Sequence, residues 1–357
     1  MKTSCRLQWQ KVKAKEEIMA TITKFLEIIL DGKDLTFQQA KALLDIVFEG
    51  GVSDVQISAF LAIMRMKRAT SFEIAGLAKS LREHAVPVKV DIENLIDTCG
   101  TGGATVKTFN ISTASAFVAA GAGAYVAKHG NRGITSRCGS ADVLEELGVN
   151  IAPGPDIVSE CIKQAHIGFM FAPKFHPAMK FVQPIRKSLD FRTAFNILGP
   201  LANPAGVTAQ VMGVAEEALL DRIIETLNIL GAKRAMVIHG QGMDEISTLG
   251  KTQIRQLINE EISSMELNPA DFGISSTSID ELKSGDAITN AGIIRDIFTG
   301  KEKGVRKDIV ILNAAAGIIV ANLADDFESA IELANTSLSN GKAMECLEKL
   351  IEVSNSG

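Results

Sequence analysis

Four short segments carry the residue types that could do chemistry. Gly100-Thr101-Gly102-Gly103 is followed, after a spacer, by Asn110-Ile111-Ser112-Thr113, where a helix is predicted to open. Glycines without a Cβ let backbone N–H groups come close to an anion, and a helix N-terminus adds positive partial charge. Asn110, Ser112 and Thr113 would supply side-chain donors at that same end. The segment is neither a Walker-type loop nor a full G-x-G-x-x-G, and a glycine turn ahead of a helix is by itself more often structural than functional. Lys128 to Ser140 (KHGNRGITSRCGS) concentrates Lys128, Arg132 and Arg137 with Asn131, Thr135, Ser136 and Ser140, and has no acid before Asp142. Such donor density suits a phosphate or pyrophosphate, against the alternative of a solvated basic loop. In Phe175 to Lys180 (FHPAMK), His176 could be a core or capping histidine, and Arg186 beyond it could be a surface arginine. A guanidinium is nonetheless the natural bidentate partner of a carboxylate ligand. Asp244 and Glu245, after Gly240-Gln241-Gly242-Met243, form either an exposed acidic turn or a hold for Mg²⁺, which takes one or two protein carboxylates with waters and substrate phosphates. Taken together, the segments point to Mg²⁺-dependent handling of pyrophosphate.

Other chemistries find little support. There is no G-x-S-x-G elbow and no H-E-x-x-H. The five cysteines (Cys5, Cys99, Cys138, Cys161, Cys346) are scattered and include no C-x-x-C pair, which argues against a zinc site or a disulfide framework. That usage fits a reducing compartment, with the cytoplasm as the expectation. A formal net charge of −5 leaves no electrostatic footprint for nucleic acid, so an anionic substrate needs a local positive site. No apolar run reaches the length of a membrane span.

The elements that must position these segments follow from periodicity. At 357 residues, 46% hydrophobic and 22% charged, the chain suits a soluble protein of two domains. Residues 1–18 are polar and basic and are expected as a flexible extension. Helical stripes then recur: Ile22, Phe25, Leu26, Ile29; then Phe37, Ala40, Leu43, Leu44, Val47 after Thr36 as N-cap. Ser53 and Ser71 are the expected caps of two more helices. Residues 19–86 thus form a small helical lobe, which helices from about 176–206 could join. From 87 to 357 short apolar runs ending in glycine alternate with helical patterns. Strands are expected at Asn94 to Asp97, Ala124 to Ala127, Thr208 to Val214 and Ala235 to His239. Helices are expected at Ser112 to Ala122, Ser140 to Leu147 and Glu216 to Leu230. This alternation predicts an α/β domain with a largely parallel central sheet, whose ligands bind beyond the carboxyl ends of the strands. The glycine-rich turns fall there.

The strings CGTGG (Cys99 to Gly103), TFNIST (Thr108 to Thr113), KHGNR (Lys128 to Arg132), GSADVLEELG (Gly139 to Gly148), FHPAMK (Phe175 to Lys180), RTAFNILGPLANPAG (Arg192 to Gly206) and MDEIS (Met243 to Ser247) stand in one order and spacing. Together they resemble the anthranilate phosphoribosyltransferases, a family of the nucleoside phosphorylase-like class of phosphoribosyltransferases, from about Ile22 to near the C-terminus. The resemblance implies a helical lobe hinged to a larger α/β phosphoribosyl-transfer domain, an active site in the cleft, and a homodimer. It implies transfer of the 5-phosphoribosyl group from phosphoribosyl pyrophosphate to the amino group of anthranilate, the second step of tryptophan biosynthesis from chorismate.

By the same resemblance, Gly100, Gly102, Gly103, Ala104, Thr108, Asn110, Ser112, Thr113, Lys128 and Ser140 would hold phosphoribosyl pyrophosphate. Ser112, Asp244 and Glu245 would contact Mg²⁺. Gly100, His129, Asn131, His176 and Arg186 would line the anthranilate path, with Lys128, Asn131 and Arg186 as catalytic candidates. One departure stands out. The family usually has Asp-Gly after Gly103, where this chain has Ala104-Thr105. An acidic acceptor is lost beside the metal, and Thr105 lacks glycine's freedom at positive φ, so an altered metal affinity or metal count and an altered loop path are expected. The competing readings are a pyrimidine nucleoside phosphorylase-like enzyme and a non-catalytic relative that binds nucleic acid.

Overall fold

The computed structural model describes residues 21–133, 137–276 and 278–356. The expected extension at 1–18, and Thr135 and Ser136 of the basic loop, lie outside the described residues. The chain divides into two compact units, one running through Ala85 and resuming at His176–Ala202, the other comprising Val86–Phe175 and Asn203–Gly357.

The first unit is helical. After a helix at 21–30 come Phe37–Phe48, Asp54–Lys67 and Ser71–Glu83, and the returning segment adds a helix at Gln183–Leu189. Three of these helices start in capping boxes: Thr36 with Gln39, Ser53 with Gln56, and Thr70 with Glu73. Each box satisfies two backbone donors that a helix start leaves open, and a lost N-cap typically costs about 1 kcal/mol. The cap of the third helix is Thr70 and not Ser71, because only Thr70 has an acid three residues on. That acid, Glu73, is fully buried and also accepts from Lys67 Nζ (2.8 Å) and the Leu35 N–H (2.8 Å), so its desolvation is compensated. Ala40, Leu43, Leu44 and Val47 are buried as their spacing predicts.

The second unit is built on one sheet. Its strands are β1 (Ile96–Gly100), β2 (Val126–Gly130), β3 (Ile167–Phe171), β4 (Ala209–Gly213), β5 (Arg234–Gly240), β6 (Thr252–Ile258) and β7 (Glu261–Leu267), in the order β3-β2-β1-β4-β5-β6-β7. The first five are parallel, while β6 and β7 add antiparallel to the β5 edge. The helix Val305–Val320 is buried on all sides from Ile309 onward, and it shares the core with Ile96, Phe117 and the helix Ile111–Gly121. Among the described residues no helix is long and apolar enough to cross a membrane.

The expected strands are present with shifted limits. β1 and β2 run to Gly100 and Gly130, so Lys128 and His129 belong to a strand and not to the loop after it. The stretch expected as one helix, Glu216 to Leu230, is a 3₁₀ turn (Glu217–Leu219) leading into Leu220–Ile229. Chain order reverses at β1, which has β2 on one side and β4 on the other. This is the topological switch point at which open α/β sheets bind ligands.

Candidate active site

At the switch point Gly100 ends β1 and Gly213 ends β4, opposite each other in register. The Asp244 loop lies across both. The Gly102 N–H donates to Asp244 Oδ2 (2.9 Å). The Thr105 N–H, its hydroxyl and the Val106 N–H donate to the Gly242 carbonyl (3.1, 3.2 and 3.3 Å). The glycine turn and the acidic loop, about 140 residues apart, are thereby stitched into one structure. Positive φ in the turn falls on Gly102 and Gly103. Thr105 needs none, so the β-branched residue sits without strain and contributes a hydroxyl clamp. Ala104 is buried.

Glu245 is enclosed at its carboxylate although part of the residue reaches solvent. Burial raises its pKa well above the usual carboxylate range, and the neighbouring Asp244 charge adds to this, while a hydrogen bond with Thr108 opposes it. Its Oε2 is buried with no hydrogen-bond partner. An enclosed carboxylate oxygen without a donor is costly unless a cation meets it. The residues fit Mg²⁺: two adjacent carboxylates, and among the described residues no cluster of three His, Cys, Asp or Glu that would favour a softer metal.

Lys128 is buried within β2. Its ammonium donates to the Thr98 carbonyl (2.6 Å) and to the Ser112 hydroxyl (3.0 Å), and Ser112 Oγ donates to the same carbonyl (3.0 Å). Burial lowers its pKa, and the Asp97 charge opposes that. Asp97 is fully buried in β1; burial pushes its carboxyl up to about 6 against the pull of Lys128 and of Asn203. Neither Asp97 nor Asn203 was singled out from sequence. The available signal was an acid inside an apolar strand, Leu95-Ile96-Asp97, where an unpaired charge would not be tolerated.

Other expected site residues divide into those brought together and those employed elsewhere. Ser140 Oγ donates to the Asn131 carbonyl (3.3 Å) beside Gly130, so the start of the helix Ser140–Glu146 and the end of β2 meet. Asn110 precedes its helix but makes no side-chain cap. Its amide donates to the Cys138 carbonyl (3.3 Å) and its oxygen accepts from Asn290 (2.8 Å), which makes it a brace for the basic loop. Thr113 is buried in that helix. Arg132, expected as a phosphate donor, is instead paired with Asp142 (2.9 Å) and Glu145 (2.8 Å), acids that follow the loop in sequence. His129 is buried in β2. In the helical unit His176 is buried, and Arg186 is half-buried over the Phe195 ring (5.5 Å), with Nη1 on Gln183 (3.2 Å) and an enclosed Nε lacking a hydrogen-bond partner.

A helical bundle joined to a parallel α/β sheet, with an amide-lined turn and a carboxylate pair at its switch point, defines a glycosyl-transferase class. Residues 23–85 match the model of the glycosyl transferase family helical bundle domain, and residues 92–344 that of its a/b domain. An anthranilate phosphoribosyltransferase of Methanocorpusculum labreanum is 48% identical over 334 residues, covering 93% of this chain and 98% of that one. One of Petrotoga mobilis is 45% identical, covering 93% and 96%. Among solved structures, the anthranilate phosphoribosyltransferase of Thermus thermophilus matches with a TM-score of 0.88 at 37% identity, over 93% of this chain and 99% of that one. That of Saccharomyces cerevisiae in complex with PRPP and Mg matches with 0.86 at 26%, over 95% and 99%. This chain belongs to the anthranilate phosphoribosyltransferase family.

Proposed function

We propose that this chain transfers the 5-phosphoribosyl group of phosphoribosyl pyrophosphate to the amino group of anthranilate and releases pyrophosphate. The observation that carries the reading is the sealing of the Gly100–Gly103 turn onto the Asp244–Glu245 loop at the β1–β4 switch point. It places backbone donors and a carboxylate pair side by side, as a Mg²⁺-bound pyrophosphate requires. Asp244 and Glu245, with the Ser112 hydroxyl, would hold Mg²⁺, which when bound supplies charge neutralisation for the departing pyrophosphate.

An aryl amine is neutral at pH 7 and exposes its lone pair without a strong base. The demand on the protein is to orient the amine and to receive the leaving group's charge. We assign Lys128, the 100–103 amides, Thr108 and Ser140 to the phosphoribosyl pyrophosphate side. Arg186 is assigned to the anthranilate carboxylate, with His129, Asn131 and His176 along its path. Among the described residues no two cysteines form a disulfide, in keeping with a reducing, cytoplasmic setting.

The test is a fluorescence assay of anthranilate consumption with phosphoribosyl pyrophosphate, with and without Mg²⁺. Metal-dependent turnover is expected from the wild type, showing that Ala104 is tolerated. Turnover by Ala104→Asp alone would mean a disabled family member. Silence with anthranilate together with phosphate-dependent release of thymine from thymidine would overturn the assignment.

A further inference from the structure

The β1–β2 ladder is interrupted where Lys128 emerges. β1 pairs with β4 from Ile96–Ala209 to Gly100–Gly213, and β2 with β3 from Val126–Ile167 to Gly130–Phe171, but β1 and β2 register only at Ile96–Val126. Backbone groups alternate between the two edges of a strand. The Tyr125 carbonyl faces β1, where it accepts the Ile96 N–H (2.9 Å), so the backbone groups of Ala127 and His129 face β1 as well. The Ala127 N–H still closes the Ile96–Val126 bridge, but the Ala127 carbonyl and the His129 N–H lie past the last register pair of β1 and β2. Asn203 Nδ2 donates to the Ala127 carbonyl (2.7 Å), and Asp97 Oδ1 accepts the His129 N–H (3.3 Å). The two side chains are joined to each other, Asn203 Nδ2 to Asp97 Oδ2 (2.8 Å), and Asn203 Oδ1 is fixed by the Ala205 N–H (2.9 Å). A carboxamide and a carboxylate thus take the place of strand pairing at the Ala127 carbonyl and the His129 N–H, the groups on either side of Lys128. Thr98, freed on its β2-facing edge, gives its carbonyl to the Lys128 ammonium (2.6 Å).

We infer that Asp97 and Asn203 are positioning residues for Lys128: they hold β1 and β2 apart by a side-chain bridge and fix the backbone on either side of the lysine, which aims its ammonium at the Ser112 end of the site. The inference rests on the assignment of Lys128 to the phosphoribosyl pyrophosphate side. Neither residue is placed on substrate. Full strand pairing would take the Thr98 carbonyl and close the gap through which the lysine reaches it.

The test uses the full chain with Asp97→Asn, Asn203→Asp, the double variant, Asn203→Ser as a milder change that keeps one hydroxyl donor, and Lys128→Ala as reference. Asn203→Asp sets two carboxylates face to face. In the double variant the carboxamide now on β1 donates to the carboxylate facing it and still accepts from the His129 N–H. The bridge is thereby rebuilt with reversed polarity, less the bond to Ala127. The single variants should lower kcat and raise the KM for phosphoribosyl pyrophosphate by roughly ten- to a hundredfold, the scale of a misplaced reacting group. The anthranilate KM should stay within about twofold, and the double variant should recover part of the loss. If Asn203→Asp does not fold, Asn203→Ser and Asp97→Asn carry the same expectation. Folded variants with wild-type kcat and phosphoribosyl pyrophosphate KM and only a lower Tm would overturn the inference while leaving Lys128 in its role. Unchanged kinetics in Lys128→Ala would instead remove the assignment beneath it.

Discussion

Asp244 closes over Gly213 so tightly that a β-carbon on Gly213 would overlap the Asp244 carbonyl group, and one on its register partner Gly100 would overlap the Asp244 carboxylate. The obstructing atoms at Gly213 are backbone, which cannot swing aside as a side chain could. Gly213→Ala should therefore displace the Met243–Glu245 loop. We expect the Mg²⁺ concentration for half-maximal activity to rise several-fold and stability to fall by about 1–3 kcal/mol, the usual cost of overpacking. A Mg²⁺ titration of activity, with Mn²⁺ binding followed by electron paramagnetic resonance, checks it. Wild-type metal dependence in both would show that the loop's seat on the sheet does not matter for the metal.

His176 is held neutral by the fold. Burial pushes its imidazole down to about 4, tempered by backbone hydrogen bonds with Leu81 and Ala202. A depressed histidine pKa makes protonation favour the unfolded chain, so the stabilisation is intact above about 6.5 and is lost as pH falls from there towards 4. Linkage puts the loss on the order of 3 kcal/mol. The wild type should lose more stability between pH 7 and 4.5 than His176→Gln, read from chemical denaturation at each pH. Equal losses would mean that the ring titrates as freely when folded as when unfolded.

The parallel sheet was legible because four of its five parallel strands end at glycines, β3, which ends at Phe171, being the one missed. Two caps, Thr36 and Ser53, were legible because hydroxyl residues stand before apolar helical stripes. Placing the third cap on Ser71 overlooked the acid at Glu73, which selects Thr70. β6 and β7 escaped notice for a physical reason. β7 is exposed along most of its length and has no apolar run, and its hairpin turns at Asn259-Glu260, both at positive φ, without the glycine that usually marks such a turn. At the site the local elements were legible and the partners were not. Nothing near Arg132 in sequence shows that Asp142 and Glu145 fold back onto it, and nothing near Lys128 shows that Asp97 and Asn203 bracket it. Those contacts are made by the topology.

The different uses of the two cations at the end of β2 can be separated. Arg132 is exposed and occupied by Asp142 and Glu145, whereas Lys128 is buried at Ser112. Arg132→Ala should leave the KM for phosphoribosyl pyrophosphate within about twofold, since exposed pairs of this kind contribute little. Lys128→Ala should lower kcat by far more than it changes the anthranilate KM. Steady-state kinetics with each substrate varied decides the matter, and a large phosphoribosyl pyrophosphate defect in Arg132→Ala would return that residue to the phosphate site.

Arg186 carries the opposite kind of evidence, a cation with spare capacity. Burial lowers its pKa, the Phe195 ring lies beneath it, Gln183 occupies one Nη, and its enclosed Nε has no partner. A desolvated guanidinium with an open donor is a cost to the free protein that a ligand carboxylate would offset. Arg186→Ala should therefore raise the anthranilate KM by about ten- to a hundredfold, in line with about 1.5–3 kcal/mol for a charge-assisted hydrogen bond, without lowering Tm. Arg186→Lys should restore little, because an ammonium has no planar fork to match the carboxylate. Varying anthranilate at saturating phosphoribosyl pyrophosphate, alongside thermal melts, tests both halves. A fall in Tm with an unchanged anthranilate KM would make Arg186 a packing residue of the helical unit and would move the carboxylate contact elsewhere.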